Sequence, residues 1–544
     1  MAKQFFVLGI GGTGMRCIES LIHLCAMGMF DDTDIHLLAL DTDKNNGNFG
    51  RLKELKEAYV NAKGLKAENR VAHKDTFFSA NIKYYEFSPD YETKSTFKEV
   101  FNYGDTQYNH REETDLADLV LDRNVEEFNL QHGYRAQTHL GSMMMYQSII
   151  EAAKSRLPNG LKEFVSTLIT ETTTGKAKVF ILGSVFGGTG ASSIPIIPQA
   201  LSRAAQIISN GSADILKNAY FGSTLLTAYF NFTLPSAGEI SQQKVIATSD
   251  KFALNSQVAM MFYDDDATVR SIYQRFYMMG TNGLNWNPMQ RAETVGTHTL
   301  TGGATQKNDS HYIELLAASA ALDFFNCSDN TLQQDKDNYK TEYLYRAVED
   351  NDKFDFQDFV GRDRQTEFAK KLGCLVAFAL FNNGVDDFVE KARSGEDKEV
   401  IGFEEIDPSQ VKYLKEYFRH FFARMQEGGA LEEGWLRQLH RSAGGGDKFL
   451  LNPKLFASQS MKELMKLDWN KNLYRSEGIG KDNKYSTGLF GSKFDSFKKQ
   501  FLKELQGEGG NGITNRGEQL YKLIYDTLTK LYNFNCYRIC QKHF

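Results

Sequence analysis

The chain opens on a compact apolar run, Gln4–Leu8, that breaks into the glycines of GIGGTG. Apolar positions then recur at helical spacing through Ile18, Leu21, Ile22 and Cys25, which predicts a helix over Met15–Met29. A second buried-type run, Asp34–Leu40, predicts a strand that ends at Asp41-Thr42-Asp43. Strand, helix, strand is the building unit of a parallel sheet. The same order returns at Ala177–Val185, a strand that stops at Gly187-Gly188-Thr189-Gly190 before a helix over Ile194–Ile208. Ser223–Phe232 and Arg275–Met279 read as further strands, and residues 238–263 as mostly helix. Ser310–Phe325 is apolar nearly all round, which predicts a helix buried on every side.

Elsewhere the pattern is weaker. Residues 45–130 are polar, with no clear strand–helix alternation, and read as an insertion carrying helices such as DLADLVLDRNVEEF. QHGYRAQTHLGSMMMYQSIIEAAKSRL is a glycine-bearing loop that runs into an amphipathic helix. Past residue 330, helical periodicity recurs at Thr366–Asn382, Pro408–Gln426 and Gly517–Lys542, between glycine-rich breaks. The expected organisation is a domain over 1–308, a central helix and following loop over 309–330, and a helix-rich C-terminal domain over 331–544.

Composition narrows the function classes. The 544 residues carry a net charge of −6, so no global basic surface points to nucleic acid. No apolar run is long enough to span a bilayer, and the N-terminal run ends in glycines rather than a cleavage site. Six scattered cysteines in a chain this long argue against a disulfide framework and for a reducing, cytoplasmic setting. Cys536, Cys540 and His543 have no second ligand pair, so no metal site is assigned to them.

Chemistry concentrates in the glycine loops. Gly9, Gly11, Gly12, Thr13 and Gly14 match GxGxxG after a strand and at the opening of a helix. Glycines admit phosphates close to the backbone, and a helix N-terminus offers unpaired N–H groups and partial positive charge. Alone, the pattern also fits a plain strand–helix turn, or the phosphate turn of a dinucleotide fold with Asp41 on the ribose. Gly187, Gly188, Thr189 and Gly190 repeat the arrangement on a second strand, with Ser192 as a further hydroxyl. Met15 and Ala191 follow the two loops, so neither has the lysine of a P-loop. Two lysine-free loops on parallel strands imply a nucleotide held by backbone amides from several segments.

That arrangement resembles the tubulin/FtsZ superfamily, and bacterial tubulin-like proteins in particular. FILGSVFGGTGAS is similar to the family's signature loop, with Phe186 in place of its first glycine. GIGGTG resembles the first nucleotide loop, and Asp41 and Asp43 of DTD the loop that approaches phosphate and Mg2+. GYRAQTHLG, with Gly133 and Gly141, resembles the loop facing the γ-phosphate, where Arg135 would supply a cation. Phe230–Phe232 matches the strand end near the ribose, Asn282 a base contact, and Asn308-Asp309 the start of the central helix. The matches keep the family's chain order over roughly residues 4–330. His139 and Ser142 depart from it, standing where related loops carry Glu and Arg or Lys.

The resemblance implies a parallel-sheet GTP-binding domain, GTP/GDP as ligand, Mg2+ beside the phosphates, and self-assembly into filaments or rings. It also implies hydrolysis completed by acids on the loop after the central helix, delivered to the nucleotide of the next subunit. Asp329 and Asp335 are the candidate catalytic acids, with Asn326 and Asp337 nearby; each also fits a solvated acidic loop. Glu314, inside the buried helix, fits packing or a capping network. Two other readings stay open: a Rossmann-type dinucleotide enzyme, and a non-hydrolysing scaffold whose C-terminal half recruits an effector protein.

Overall fold

The computed structural model of the chain describes residues 2–64, 71–102, 117–230, 249–281, 308–348, most of 364–379, 408–425, 431–444 and 516–531. Seven strands form one sheet: β1 (Lys3–Ile10), β2 (Thr33–Leu40), β3 (Asn81–Phe87), β4 (Ala177–Leu182), β5 (Ala219–Leu226), β6 (Tyr273–Thr281) and β7 (Glu342–Val348). Their spatial order is β3-β2-β1-β4-β5-β6-β7, and every pairing is parallel. The winding reverses between β1 and β4. In doubly wound sheets the crevice at such a reversal, beyond the carboxyl ends of the strands, is where ligands bind. Both glycine loops flank it.

The helices used below are α1 (Gly11–Met27), α2 (Gly47–Lys63), α3 (Thr138–Lys154), α4 (Gly160–Thr174), α5 (Gly188–Ser193), α6 (Ile197–Ile208), α7 (Phe252–Asp265), α8 (Tyr312–Asn326), α9 (Asp329–Asp337), α10 (Pro408–Phe421), α11 (Trp435–Ser442) and α12 (Arg516–Leu531). A short antiparallel pair, β8 (Ala423–Met425) and β9 (Leu431–Glu433), lies between α10 and α11. The period-two alternation of β1 sends Phe5 and Val7 to one face and Phe6, Leu8 and Ile10 to the other. The first face packs against α1, α2, α8 and the helices from the C-terminal region, and the second against α3, α4 and α6. This is an α/β architecture with a helix-rich C-terminal region.

Helix α8 is buried along nearly its whole length, as its apolar circumference requires. It crosses the sheet from end to end. Glu314 in its first turn pairs with Arg16 behind the first glycine loop. At its far end the Phe325 and Cys327 carbonyls accept from Lys178 Nζ, at the start of β4, at 3.1 and 2.6 Å. The C-terminal helices close over α1 and α2. Trp435 Nε1 donates to Ser20 Oγ at 3.0 Å, and Tyr417 Oη meets His23 Nδ1 at 2.9 Å. Glu518 of α12 receives Lys63 at 3.3 Å and His73 at 2.7 Å.

Several boundaries differ from the pattern reading. Helix α1 starts at Gly11, so the glycines themselves form its first turn. Strand β5 covers Ala219–Leu226 rather than Ser223–Phe232; Phe230 lies past its end and residues 231–232 lie outside the described set. The polar stretch 45–130 supplies α2 and a third parallel strand, β3, so this part is integral to the sheet. β3 and β7 are the sheet's edges and stay partly exposed, which blurs the alternation that marks inner strands. Residues 329–337, expected as a loop, are helix α9, with Ser328 capping Thr331 N at 3.1 Å.

Candidate functional site

The first loop packs glycine against backbone. Gly11 takes φ +67, a left-handed turn that lets α1 follow β1 directly. A methyl group on Gly14 would lie 2.6 Å from the Gly9 carbonyl carbon and from Leu182 O. Gly12 faces something different. A methyl there would meet Asn48 Nδ2 at 3.1 Å, and Asn46 Nδ2 and the Arg16 guanidinium at 3.8 Å.

The other segments converge on the same place. A methyl on Gly11 would lie 3.6 Å from Thr189 Cβ, and one on Gly133 would lie 3.6 Å from Thr42 Oγ1 and 3.7 Å from Thr189 Oγ1. Gly188 presses against the third loop, where a methyl would come within 2.8 Å of Ala136 N and 3.1 Å of Arg135 N. Gly190 abuts Ser184 O, with only 2.4 Å for a methyl. GIGGTG, DTD, GYRAQ and GGTG therefore meet around Thr189. Gly187 is the N-cap of α5, so that helix, like α1, opens into this gathering.

Asp41 and Asp43 are buried here. Asp41 Oδ1 accepts from Asp43 N at 3.3 Å, while its Oδ2 has no hydrogen-bond partner among the described residues. Burial foremost pushes its carboxyl up to about 7; the neighbouring Asp43 charge adds to this, and hydrogen bonds from Asp43 and Thr42 oppose it. Asp43 Oδ1 accepts from Asn45 N at 3.0 Å, closing the turn into α2.

Arg135 and Ala136 both take positive φ, +45 and +63. The Arg135 guanidinium lies over the Phe128 ring, 5.4 Å from its centre. Ser192 Oγ donates to Thr189 O at 3.1 Å, and Ser142 Oγ donates to Ser192 O at 2.7 Å, so both hydroxyls hold loop backbone. Phe186 is buried against Phe252, Phe230 and Tyr229, its ring 4.8, 5.3 and 6.0 Å from theirs. It fills an aromatic cluster beside the loop.

Asn308 reaches the first loop through α2. Its side-chain oxygen accepts from Asn48 Nδ2 at 3.0 Å, and its N–H donates to Asn48 Oδ1 at 2.8 Å. Asp309 instead turns outward to Arg441 at 2.6 Å. Asn282 lies outside the described residues, as do Cys536, Cys540 and His543.

Behind GIGGTG sits a network that the motifs did not reveal. Arg16 is almost fully buried; its Nε donates to Glu314 Oε1 at 2.5 Å and its Nη2 to Tyr229 Oη at 2.9 Å. Tyr229 Oη donates to Glu314 Oε1 at 2.6 Å, and Glu314 Oε2 accepts from His311 N at 2.8 Å to complete a capping box. Burial works against the Arg16 charge, and the facing Glu314 carboxylate more than offsets it. Glu314 thus performs the capping role read for it. The usable sequence signal was weak, a few charges on two largely apolar helices: Arg16 and Glu19 on α1, Glu314 and Asp323 on α8.

The candidate acids lie at the opposite end of α8. Asp329 is exposed at the start of α9 and pairs with Lys178 at 3.0 Å. Asp335 is turned inward beneath β6, 3.8 Å from Arg275. The 15 residues of α8 separate them from the glycine loops by roughly 20 Å at 1.5 Å per residue. One copy of the chain does not bring these acids to its own loops.

No family model and no curated protein matches the chain. Among solved structures it is similar to Clostridium botulinum phage c-st TubZ, a C-terminal tail truncated protein, at 13% identity and a TM-score of 0.24. The match covers 61% of this chain and 64% of that one. A similarity of this size leaves the site to be read from its own geometry. No described helix is long and apolar enough to cross a membrane.

Proposed function

We propose that the chain is a tubulin-like GTP-binding protein that self-assembles head to tail and hydrolyses GTP across the contact between subunits. The convergence of four segments around Thr189 carries this reading. Helices α1 and α5 both start in the loops that meet around Thr189, and unpaired N–H groups at two helix starts would suit a chain of phosphates. Asp41 Oδ2, buried and without a partner among the described residues, fits Mg2+ at those phosphates, since a hard cation prefers carboxylate oxygen. The exposed Asp329, a helix length away, fits a role on the neighbour's nucleotide. Gly133 and the strained Arg135-Ala136 turn would then close over the terminal phosphate.

The sheet order and the acid after β2 also suit a dinucleotide fold. What favours a nucleoside triphosphate is the second loop, Gly187–Gly190, seated on GYRAQ at a place where a dinucleotide fold needs no glycines. A competition assay separates the two. Purified protein should release guanine nucleotide on denaturation and bind GTP in preference to NAD. Phosphate release per subunit should rise with protein concentration. Preferential NAD binding, or a per-subunit rate independent of concentration, would overturn the proposal.

A further inference from the structure

Helix α7 carries an outer face that no described element covers. Leu254, Val258, Met261 and Phe262 follow the i, i+4, i+7, i+8 spacing that a helix normally turns inward, yet each is more than half exposed. The inner face of α7 is already served by Phe252, Ser256 and Tyr263, all buried, with Tyr263 Oη donating to Ala191 O at 2.6 Å. From Phe252 through Tyr263 there is no charged residue. Strand β7 extends the patch. Tyr343 Oη donates to Asp264 at 3.1 Å, and its ring lies beside Phe276, on the face that α7 covers. Tyr345, two residues on and therefore on the same face, is 81% exposed. No described strand pairs with the outer edge of β7.

We infer that this face, α7 with β7, is a lateral contact between two copies of the chain related by a two-fold axis. Charge selects the occupant. An anionic membrane surface or a nucleic acid would need basic residues on the α7 stripe, and Phe252–Tyr263 has none. Two copies of the α7 stripe from Phe252 to Tyr263 meet without like-charge repulsion along it, with Asp264 at its end beside Tyr343. Area agrees: six side chains exposing on the order of 100 Å² each give roughly 600 Å² per copy, close to the ~800 Å² per partner of a standard interface. Geometry agrees as well, because an edge strand meets its own copy antiparallel about a two-fold axis, which makes the contact self-complementary. Such a contact closes after two copies. It is therefore distinct from head-to-tail assembly and would tie two assembled chains side by side; only that last clause rests on the proposed function.

The test uses the full chain without nucleotide, followed by light scattering over a concentration series. Wild type should dimerise. Combining Val258→Asp with Met261→Asp should raise the dimer dissociation constant at least roughly a hundredfold, with a melting midpoint unmoved from wild type when both are measured below the wild-type dissociation constant. Single cysteines placed by Leu254→Cys, Val258→Cys and Met261→Cys should give a disulfide-linked dimer from at least one position on oxidation. A wild type that stays monomeric throughout overturns the inference. So does a dimer that the aspartates leave intact. A double variant that melts several degrees lower than wild type at concentrations where both are monomeric also overturns it, because another segment of the same chain would then cover the face.

Discussion

A buried carboxylate with one oxygen unpartnered among the described residues declares itself through pH. The Asp41 carboxyl titrates near 7 when folded, against an ordinary value near 3.8 in the unfolded chain. Between those values the folded state holds a proton that the unfolded state has released. Stability therefore falls as pH rises from about 4 to about 7, by up to roughly 4 kcal/mol. Asp41→Asn removes this penalty. Ligand-free, the variant should be more stable than wild type at pH 8 by an amount of that order, with the difference vanishing near pH 4 in denaturant titrations. Its affinity for GTP with Mg2+ should drop. An Asn variant less stable than wild type at pH 8 would show that Asp41 is satisfied in the fold. Arg16 and Glu314 are a second case of charge kept inside. Truncating one partner leaves the other charged and unpaired, so Glu314→Ala should cost about 3–5 kcal/mol, while Arg16→Met with Glu314→Leu should cost clearly less. Equal losses in the two would argue that packing, not charge, dominates there. Asp41 was legible in the sequence because it ends a buried strand. Arg16 was not, because its partner lies 298 positions away and no short motif joins them.

At the scale of elements, the glycines divide by what surrounds them. Gly14 and Gly190 meet backbone within 2.6 Å of any added methyl, so each is needed for the strand–helix turn itself. Gly12 meets side-chain amides at 3.1 Å or more, which can yield. Gly14→Ala and Gly190→Ala should therefore lose about 1–3 kcal/mol of stability. Gly12→Ala should melt within a few degrees of wild type yet bind nucleotide far more weakly. Calorimetry paired with a binding titration checks both halves. Loss of stability in all three variants would place Gly12 in the turn instead. The sequence disclosed these turns because β1 and β4 are inner strands, and continuous apolar runs ending in glycine leave little ambiguity. It concealed β3 and β7 because edge strands mix exposed and buried positions. It concealed α9 because DNTLQQDKD has almost no apolar residue, and its helix rests on a Ser328 cap and two inward positions, Leu332 and Asp335.

At the scale of the whole molecule, α8 fixes what a single copy can and cannot do. The loops gather at one end of the sheet, while Asp329 stands at the other, exposed and paired with Lys178. If hydrolysis needs both ends, each active site is built from two chains, and defects at the two ends should complement. A variant blocked in the loops, such as Gly188→Val, presses on the Arg135-Ala136 turn and should not bind GTP. Its Asp329 end is intact. Asp329→Asn should bind GTP normally and assemble, but release phosphate at least roughly a hundredfold more slowly. Asp335→Asn should act differently, because its carboxylate faces Arg275 inside the fold; its effect should be on melting. Neither the loop variant nor the Asp329 variant alone should turn over. Mixed in equal amounts, they should recover some activity, since contacts that set an intact Asp329 end against an intact nucleotide form by chance. The recovered rate should vanish on dilution together with assembly. If the mixture stays inactive while both variants are folded and assembling, Asp329 is not the acid that crosses the contact. If Asp329→Asn turns over at the wild-type rate, hydrolysis is completed by groups within one copy.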